Sequence, residues 1–395
     1  MGFELAENAE GVVNIKVIGC GGGGCNAVNR MINAGVQGVE FVAANTDLQV
    51  INSSRAEHKI QMGTKLTKGL GAGSDPQVGE KSAVECKEEF EQLLQGTDMV
   101  FITAGMGGGT GTGSAPVVAE IAKNMGILTV AIVTKPFQFE GKFKMKNAEA
   151  GIAKLREKVD SLIVIPNEKL KEVSTEKITL LNAFQIADEV LRQGVQSISD
   201  LILTSALINL DFADVSKIMK GAGNAHMGVG RANGKDKATI AAAAAISSPL
   251  LETSIDGATG VIINITASPD IGLDEVDAAS NKVIEAADPN ANIIWGVALN
   301  NDLEDEMIVT VIATGFKPHK AAPKIETPVI ETPAEPVSIF APSPVEPADL
   351  FTPVTTGPAA PVSEPEAPSA PEDTAADDKE DDFGLDDVFD FFKKK

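Results

Sequence analysis

Short apolar runs alternate with amphipathic segments along the first half of the chain. The runs predict buried strands and the segments between them predict helices, so we expect a parallel sheet covered by helices on both faces. Pro116 is predicted in the first turn of one helix, where proline is tolerated. The predicted strands are Asn14–Gly19, Val39–Asp47, Asp98–Gly105, Ile127–Thr134 and Ser161–Pro166, with helices over 26–35, 76–95, from Pro116 onward and up to Lys158.

A different pattern follows a long helical stretch over residues 179–204. Three apolar runs, VIINITAS, NIIWGVAL and MIVTVIATG, predict strands, with a helix over Leu273–Ala287 between the first two. We therefore expect an α/β domain over residues 12–178, a central helix over 179–204 and a smaller α+β domain over 205–316. Residues 1–11 are expected to form a flexible amino terminus.

The composition changes sharply after Phe316. Fourteen of the 21 prolines lie between Pro318 and Pro371, and residues 317–395 hold 17 acidic but only 7 basic side chains. Few large apolar residues are present to offset chain entropy, so residues 317–380 are predicted to be a disordered linker. The last segment, DDFGLDDVFDFFKKK over 381–395, concentrates phenylalanines in a pattern typical of a peptide that folds onto a partner.

Charge and cysteine content narrow the functional classes. A formal net charge of −23 argues against a nucleic-acid-binding protein, which normally carries a basic face. No apolar run reaches the length of about 20 residues that spans a bilayer, and the amino terminus lacks the pattern of a secretory signal. The three cysteines, Cys20, Cys25 and Cys86, give no disulfide framework, so we expect a cytoplasmic protein. Because no histidine lies nearby, we interpret Cys20 and Cys25 as small residues of a crowded turn rather than metal ligands.

Two glycine-rich turns carry the candidate chemistry. GCGGGGCN (Gly19–Asn26) and GGGTGTG (Gly107–Gly113) each follow a predicted strand and precede a helix. Ligands of open parallel sheets bind at this edge. Backbone N–H groups of such turns converge on phosphate oxygens, helped by the helix N-terminus, and Thr110 and Thr112 add hydroxyl groups. Two such turns in one domain indicate a polyphosphate ligand.

The first turn leaves an alternative open. It matches G-x-G-x-x-G at Gly19, Gly21 and Gly24, and Asp47 stands near the end of the next strand, as in dinucleotide-binding proteins. A nicotinamide-dependent enzyme would leave the second turn unexplained and has no catalytic His or Lys constellation here. A P-loop NTPase is excluded, since G-x-x-x-x-G-K-[ST] does not occur in the sequence.

Longer motifs resemble a known family. Gly105–Gly113 is similar to the tubulin signature loop, and GGGGCNAVNRM, ANTD, TKPFQFEG, IPNEKL, NLDFADV and SPLLE follow in the order seen in the FtsZ family of bacterial tubulin-like division GTPases. The resemblance covers about Val12–Phe316 and the extreme carboxyl terminus. It implies a tubulin-like fold, binding and hydrolysis of GTP, head-to-tail filaments, and a cytoplasmic location at the division site at midcell.

The resemblance also implies roles for individual residues. Glu140 is expected at the ribose, Asn26, Asn167 and Phe184 at the base, and Glu189 where the family pairs an aspartate with the two adjacent donors of guanine. Lys144 replaces a family arginine and Asp188-Glu189 replaces Asn-Asp. The nucleotide contacts assigned in this way are Gly21, Gly22, Gly23, Gly24, Cys25, Asn26, Asn45, Gly108, Gly109, Thr110, Gly111, Thr112, Gly113, Glu140, Lys144, Asn167, Phe184, Asp188 and Glu189.

Hydrolysis in the family depends on a second copy of the chain. The resemblance implies that Asn209, Asp211 and Asp214 of a neighbouring subunit enter the nucleotide site, where the acids position water and help to hold Mg²⁺. The spacing of the two acids places both on one helical face. The alternative is that they cap a helix, and Asp211 could do both. A filament scaffold that binds nucleotide with little or no hydrolysis is a further alternative, because Lys144 lacks the geometry of arginine.

The carboxyl-terminal peptide resembles a partner-binding motif. DVFDFFK is similar to the family peptide that docks on membrane-tethering and regulatory division proteins, except that Phe389 stands where the family has proline. The residues implied in partner binding are Asp387, Val388, Phe389, Phe391, Phe392 and Lys393.

Overall fold

The computed structural model describes residues 13–173, 179–203, 211–248, 255, 257–300 and 303–316. The strands are β1 (Ile15–Cys20), β2 (Val39–Asn45), β3 (His58–Gln61), β4 (Met99–Gly105), β5 (Leu128–Lys135), β6 (Ser161–Pro166), β7 (Gly223–Asn233), β8 (Gly260–Ala267), β9 (Asn292–Leu299) and β10 (Glu306–Thr314). The helices are α1 (Gly21–Asn33), α2 (Leu48–Ser53), α3 (Thr64–Thr67), α4 (Pro76–Glu85), α5 (Lys87–Leu93), α6 (Thr110–Asn124), α7 (Lys142–Lys158), α8 (Leu170–Val173), α9 (Leu180–Leu203), α10 (Phe212–Met219), α11 (Lys237–Ile246) and α12 (Leu273–Ala286).

The ten strands found in the described residues join in one sheet with the order β3-β2-β1-β4-β5-β6-β7-β10-β8-β9. Strands β1 to β6 pair in parallel, which confirms the predicted parallel sheet. Strand β7 connects the two parts of the sheet, because its first residues pair in parallel with β6 and the remainder pairs antiparallel with β10. Strand β10 is also antiparallel to β8, so the second half is of mixed α+β type.

Two apolar layers lie on opposite faces of the parallel sheet, because successive side chains of a strand point to opposite sides. Val17 packs on the face covered by α1 and α9, with Met31 and Val195. The next residue, Ile18, packs on the other face with Phe90. A third layer buries α11 and α12 against β8 and β10. These layers fix the strands whose ends form the site.

The structure corrects three predicted boundaries. Helix α1 begins at Gly21, so the first glycine turn is itself the first turn of the helix. Helix α6 begins at Thr110, which puts Pro116 inside the helix rather than in its first turn. The single helix predicted over residues 76–95 is two helices that meet at Cys86, where the backbone leaves helical geometry.

Strand β7 escaped the sequence analysis because its sequence, GNAHMGVGRAN, is rich in glycine. A Cβ atom at Gly228 would lie 2.0 Å from the carbonyl oxygen of Ala245, and one at Gly230 would lie 2.0 Å from that of Ala241. The strand therefore needs glycine to let α11 approach its backbone closely.

None of the helices in the described ranges is long and apolar enough to span a bilayer.

Candidate functional site

A cavity of about 460 Å³ opens at the carboxyl ends of the parallel strands. The turns that follow β1 and β4 form one part of its wall, and the segments after β5 and β6 form the rest together with α9. This is the edge at which open α/β sheets bind ligands. The residues that line it are Gly22, Gly23, Asn26, Gly105, Met106, Gly108, Gly109, Thr110, Gly111, Thr134, Pro136, Glu140, Lys144, Asn167, Phe184, Ala187, Asp188 and Leu191.

The two glycine turns pack backbone against backbone. A Cβ atom at Gly21, where φ is +71°, would lie 2.6 Å from the amide nitrogen of Gly111. A Cβ atom at Gly111 would in turn lie 2.8 Å from the carbonyl oxygen of Cys20. By contrast, nothing lies within 4 Å of the Cβ position of Gly22 or Gly108, which line the cavity. Some glycines therefore bring the turns together, and others leave room for a ligand.

The two glycine turns place two helix N-termini, which attract anions, at the cavity. Helices α1 and α6 begin at Gly21 and Thr110, and their first N–H groups have no partner within the helix. The positive ends of both helix dipoles therefore lie at the cavity. The Thr110 hydroxyl lines the cavity 2.6 Å from the hydroxyl of Thr46, whereas the buried Thr112 hydroxyl accepts the N–H of Gly107 at 2.8 Å.

The part of the wall formed by α9 and the segment after β6 offers acceptors for N–H groups beside an aromatic ring. Asn167 is buried, and its Oδ1 has no hydrogen-bond partner among the described residues. Burial raises the pKa of Asp188 to about 6, against the opposing effect of Arg30. The Phe184 ring is 44% exposed and lines the same side. A planar ring carrying N–H donors would satisfy these groups.

Glu140 and Lys144 form an ion pair in the cavity wall. The Oε1 of Glu140 accepts the backbone N–H of Phe137 at 2.9 Å, and its Oε2 accepts from the Lys144 ammonium at 3.1 Å. Both residues line the cavity, and the carboxylate is the more buried of the two. The pair holds one positive charge near the glycine turns in a fixed position.

Several predicted contacts lie behind the cavity wall instead of on it. Cys25 is fully buried, with its thiol 3.5 Å from the carbonyl oxygen of Gly19 and 3.9 Å from the Nδ2 of Asn45. Burial raises the pKa of both Cys20 and Cys25 to about 12, so neither thiol ionises near neutral pH. The predicted residues absent from the wall are Gly21, Gly24, Cys25, Asn45, Thr112, Gly113 and Glu189.

Glu189, which the sequence analysis expects at the guanine base, is engaged by side chains of α1 and α9 in this structure. Its carboxylate accepts from Arg192 Nε at 3.0 Å, from Gln193 at 3.0 Å and from Arg30 at 3.3 Å. Although burial acts to raise the pKa of Glu189, these partners hold it below its usual value. Consecutive residues of a helix point about 100° apart, so α9 presents Asp188 to the cavity and turns Glu189 toward α1.

Some wall residues were missed in the sequence analysis. Ala187 and Leu191 follow Phe184 at helical spacing, so the periodicity of α9 could have identified them. Thr134 and Pro136 follow β5 and could have been found from the end of that strand. The missed wall residues are Gly105, Met106, Thr134, Pro136, Ala187 and Leu191.

Asp211 and Asp214 lie outside this cavity. Both are exposed at the start of α10, and the amide of Asp214 donates to the backbone oxygen of Asp211 at 2.9 Å. The Asp211 side chain makes no capping hydrogen bond, so its carboxylate is not used to cap the helix. Asn209 and the peptide at residues 387–393 lie outside the described residues.

Comparisons with known proteins identify the fold and the family. Residues 14–175 match the model of the Tubulin/FtsZ family, GTPase domain, and residues 223–317 match the FtsZ family, C-terminal domain. The protein is thus a tubulin-like α/β GTPase with a guanine-nucleotide site, as its sequence predicted. The chain belongs to the Tubulin/FtsZ family.

Solved structures agree with this assignment. An empty FtsZ dimer from M. jannaschii is 47% identical, with a TM-score of 0.74 over 77% of this chain and 88% of that one. A point mutant of M. jannaschii FtsZ, also 47% identical, gives a TM-score of 0.75 over 77% of this chain and 91% of that one. A GTPγS-bound protofilament of CetZ2 from Haloferax volcanii is 19% identical over 78% and 94%, with a TM-score of 0.66, and shares the fold.

Replacement by alanine should have different effects at two glycines of the second turn. Gly108→Ala should leave the melting temperature unchanged, because its Cβ meets nothing, but should raise the Kd for GTP at least about tenfold by filling phosphate space. Gly111→Ala, the matched control, should lower the melting temperature, because its Cβ meets the backbone of Cys20. Thermal unfolding and nucleotide titration separate the two, and a normal GTP affinity in Gly108→Ala would contradict the assignment.

Proposed function

We propose that this chain hydrolyses GTP within head-to-tail filaments that form the division ring of a bacterial cell, in the cytoplasm at midcell. In this proposal, Asp211 and Asp214 of one subunit, together with Asn209, complete the nucleotide site of the next. The dimeric FtsZ from M. jannaschii and the CetZ2 protofilament support assembly as a property of such folds.

One observation carries the proposal: the cavity lies at the carboxyl ends of the strands, whereas the helix that begins at the two acids is anchored at their amino ends. Thr134 and Asn167 line the cavity at the carboxyl ends of β5 and β6. Helix α10, which follows Asp211, is hydrogen-bonded to Ser161 at the amino end of β6. The strands rise about 3.3 Å per residue, so their ends are about 20 Å apart. A second copy stacked along the strand direction would bring its acids to this cavity, and such a contact repeats into a filament.

The chemistry of the cavity supports a contribution from a second subunit. Among the described wall residues, the only side chains that titrate are Glu140, Lys144 and Asp188. Glu140 is engaged with Lys144, and Asp188 belongs to α9, one helical turn after Phe184, rather than to either glycine turn. The exposed carboxylates of Asp211 and Asp214 can accept a proton from water or orient it toward the γ-phosphate.

The nucleotide orientation follows from the two sides of the cavity. The phosphates bind the glycine turns, with Lys144 as a point charge, and the ribose lies near Glu140. The base packs on Phe184, where ionised Asp188 accepts the N1–H and N2–H of guanine and Asn167 offers its free oxygen. Adenine lacks that pair of donors, so the site selects guanine.

Mg²⁺ fits the donors that are present. The described residues contain no group of three or more potential metal ligands, so the ion would depend chiefly on phosphate oxygens. The Thr110 hydroxyl and the carboxylates of a neighbour's Asp211 and Asp214 are hard oxygen donors that suit it. When bound, the ion neutralises charge on the transferred phosphoryl group.

Asp188 predicts a pH dependence of nucleotide binding. Because its pKa is about 6, GTP affinity should fall as the pH is lowered through 6, where the carboxyl gains a proton and can no longer accept both donors. Asp188→Asn should bind GTP about tenfold to a hundredfold more weakly, with a flatter profile between pH 5 and 7.5. Isothermal titration calorimetry of the wild type and of Asp188→Asn measures the GTP affinity at each pH. Protonation of the nucleotide itself affects both proteins equally. An unchanged profile in Asp188→Asn would contradict the role.

The same substitution should stabilise the nucleotide-free protein. A pKa raised on folding means that the contribution of Asp188 to stability is fully present below about pH 4 and is lost as the pH rises through 6. Asp188→Asn removes this cost at pH 7, so the free energy of unfolding should increase by about 1–2 kcal/mol. Urea denaturation without nucleotide checks it.

Asp214 should separate binding from hydrolysis. Asp214→Ala should retain normal GTP affinity and form filaments, while its turnover falls at least about a hundredfold, because the exposed carboxylate does not touch its own cavity. Phosphate release should rise from a threshold protein concentration in the wild type. A scaffold without hydrolysis would show no release at any concentration, and equal turnover in solitary molecules would exclude a shared site.

The carboxyl-terminal peptide should serve partners rather than assembly. Its residues lie outside the described structure, so this proposal rests on the sequence of 381–395. Deleting Asp381–Lys395 should leave GTP-dependent sedimentation unchanged and abolish binding to membrane-tethering division proteins. Loss of sedimentation would assign the peptide to the filament instead.

A further inference from the structure

We propose that Ser161 and Asp160 are positioning residues for hydrolysis, which hold α10 at the amino ends of β5 and β6 so that its acids reach the neighbouring cavity at a fixed height and rotation. The inference rests on the proposed function, since it assumes that Asp211 and Asp214 act on the next subunit. Neither positioning residue lines the cavity of its own chain.

Ser161 anchors the last residue of α10. It is fully buried as the first residue of β6, and its hydroxyl donates to the carbonyl oxygen of Met219 at 2.6 Å. The last carbonyl groups of a helix have no partner within the helix, so this short contact, together with the longer one from the N–H of Ala222 at 3.3 Å, satisfies that acceptor. The buried Thr314 hydroxyl, at the end of β10, lies 3.3 Å from the carbonyl oxygens of both Ile218 and Gly260, so it provides a second, weaker contact that α10 shares with β8.

Asp160 fixes the turn that leaves α10. Its buried carboxylate accepts the N–H of Thr129 in β5 at 3.0 Å and that of Gly221 at 3.3 Å. Its backbone oxygen accepts the N–H of Gly223, where β7 begins, at 2.9 Å. One side chain therefore joins β5 to the turn between α10 and β7.

These polar contacts fix the position of α10 along its axis and its rotation, which apolar packing determines less sharply. Val215, Ile218 and Met219 bury one side of α10 in the main core, but apolar contact has no preferred direction and resists sliding or rotation weakly. Because hydrogen bonds are directional, those at the carboxyl end of α10 restrict both its sliding and its rotation. Asp214 lies five residues before Met219, about 7.5 Å along the helix, so a movement at the anchor is carried directly to the acid.

The expected effect is on the chemical step alone. A misplacement of about 1 Å in a catalytic group can reduce a rate by up to a hundredfold. Ser161 is separated from its own cavity by the length of β6, so its loss should not alter nucleotide contacts. A positioning role therefore predicts lower turnover at unchanged GTP affinity.

The experiment compares Ser161→Ala with Ser199→Ala in the full chain. Ser199 is the matched control, because its buried hydroxyl also donates to a backbone carbonyl, that of Gln196 at 3.1 Å, but inside α9. GTP affinity is measured on dilute protein, polymer by sedimentation, and phosphate release per sedimented subunit at saturating GTP. We expect Ser161→Ala to lose about tenfold in turnover with affinity and polymer unchanged, and Ser199→Ala to match the wild type.

Thr314→Val is the second variant, in case Ser161→Ala folds poorly, and should show a smaller loss of turnover in the same direction. Wild-type turnover in a folded Ser161→Ala would overturn the inference. A loss matched by equal losses of affinity or polymer would also overturn it, since the role would then be structural. Asp214→Ala, assayed in parallel, tests the proposed function separately: if it keeps wild-type turnover, the shared site itself fails.

Discussion

The close approach of two glycine turns is the constraint on which the site depends. A side chain at Gly21 would meet the backbone of Gly111, so the segments after β1 and β4 can adjoin only because neither carries a Cβ there. Their contact directs the N-termini of α1 and α6 into one cavity. Two partial positive charges are then directed into the same space, which neither turn could achieve alone.

The direction of the sheet gives the molecule its polarity. Because β1 to β6 are parallel, all their carboxyl ends lie at one edge of the sheet, and those of β1, β4, β5 and β6 lead into the cavity, whereas their amino ends lie at the opposite edge. An antiparallel sheet would mix the two kinds of end. In this chain the glycine turns occupy one edge, and α10 is bound to the other through Ser161 and Asp160. This polarity suits the head-to-tail assembly proposed above, in which unlike edges of neighbouring subunits would meet.

Two adjacent carboxylates show how the environment separates structural from binding groups. The Glu189 carboxylate forms ion pairs with Arg30 and Arg192, and the pair with Arg30 links α9 to α1. Asp188, one residue earlier, is left at the cavity, where burial raises its pKa to about 6. An acceptor held without a donor is unfavourable in the empty protein and becomes useful when a base supplies N–H groups.

The sequence by itself determined the parallel sheet, the two glycine turns and the family, because strand periodicity and glycine spacing are local patterns. It did not determine where the helices begin, that β7 is a strand, or that α9 presents Asp188 rather than Glu189. Those outcomes depend on contacts between distant segments, such as Gly230 against the backbone of Ala241 and Arg30 against Glu189. The separation of Asp211 and Asp214 from the cavity is likewise a tertiary fact, because only the pairing of strands decides which ends share an edge.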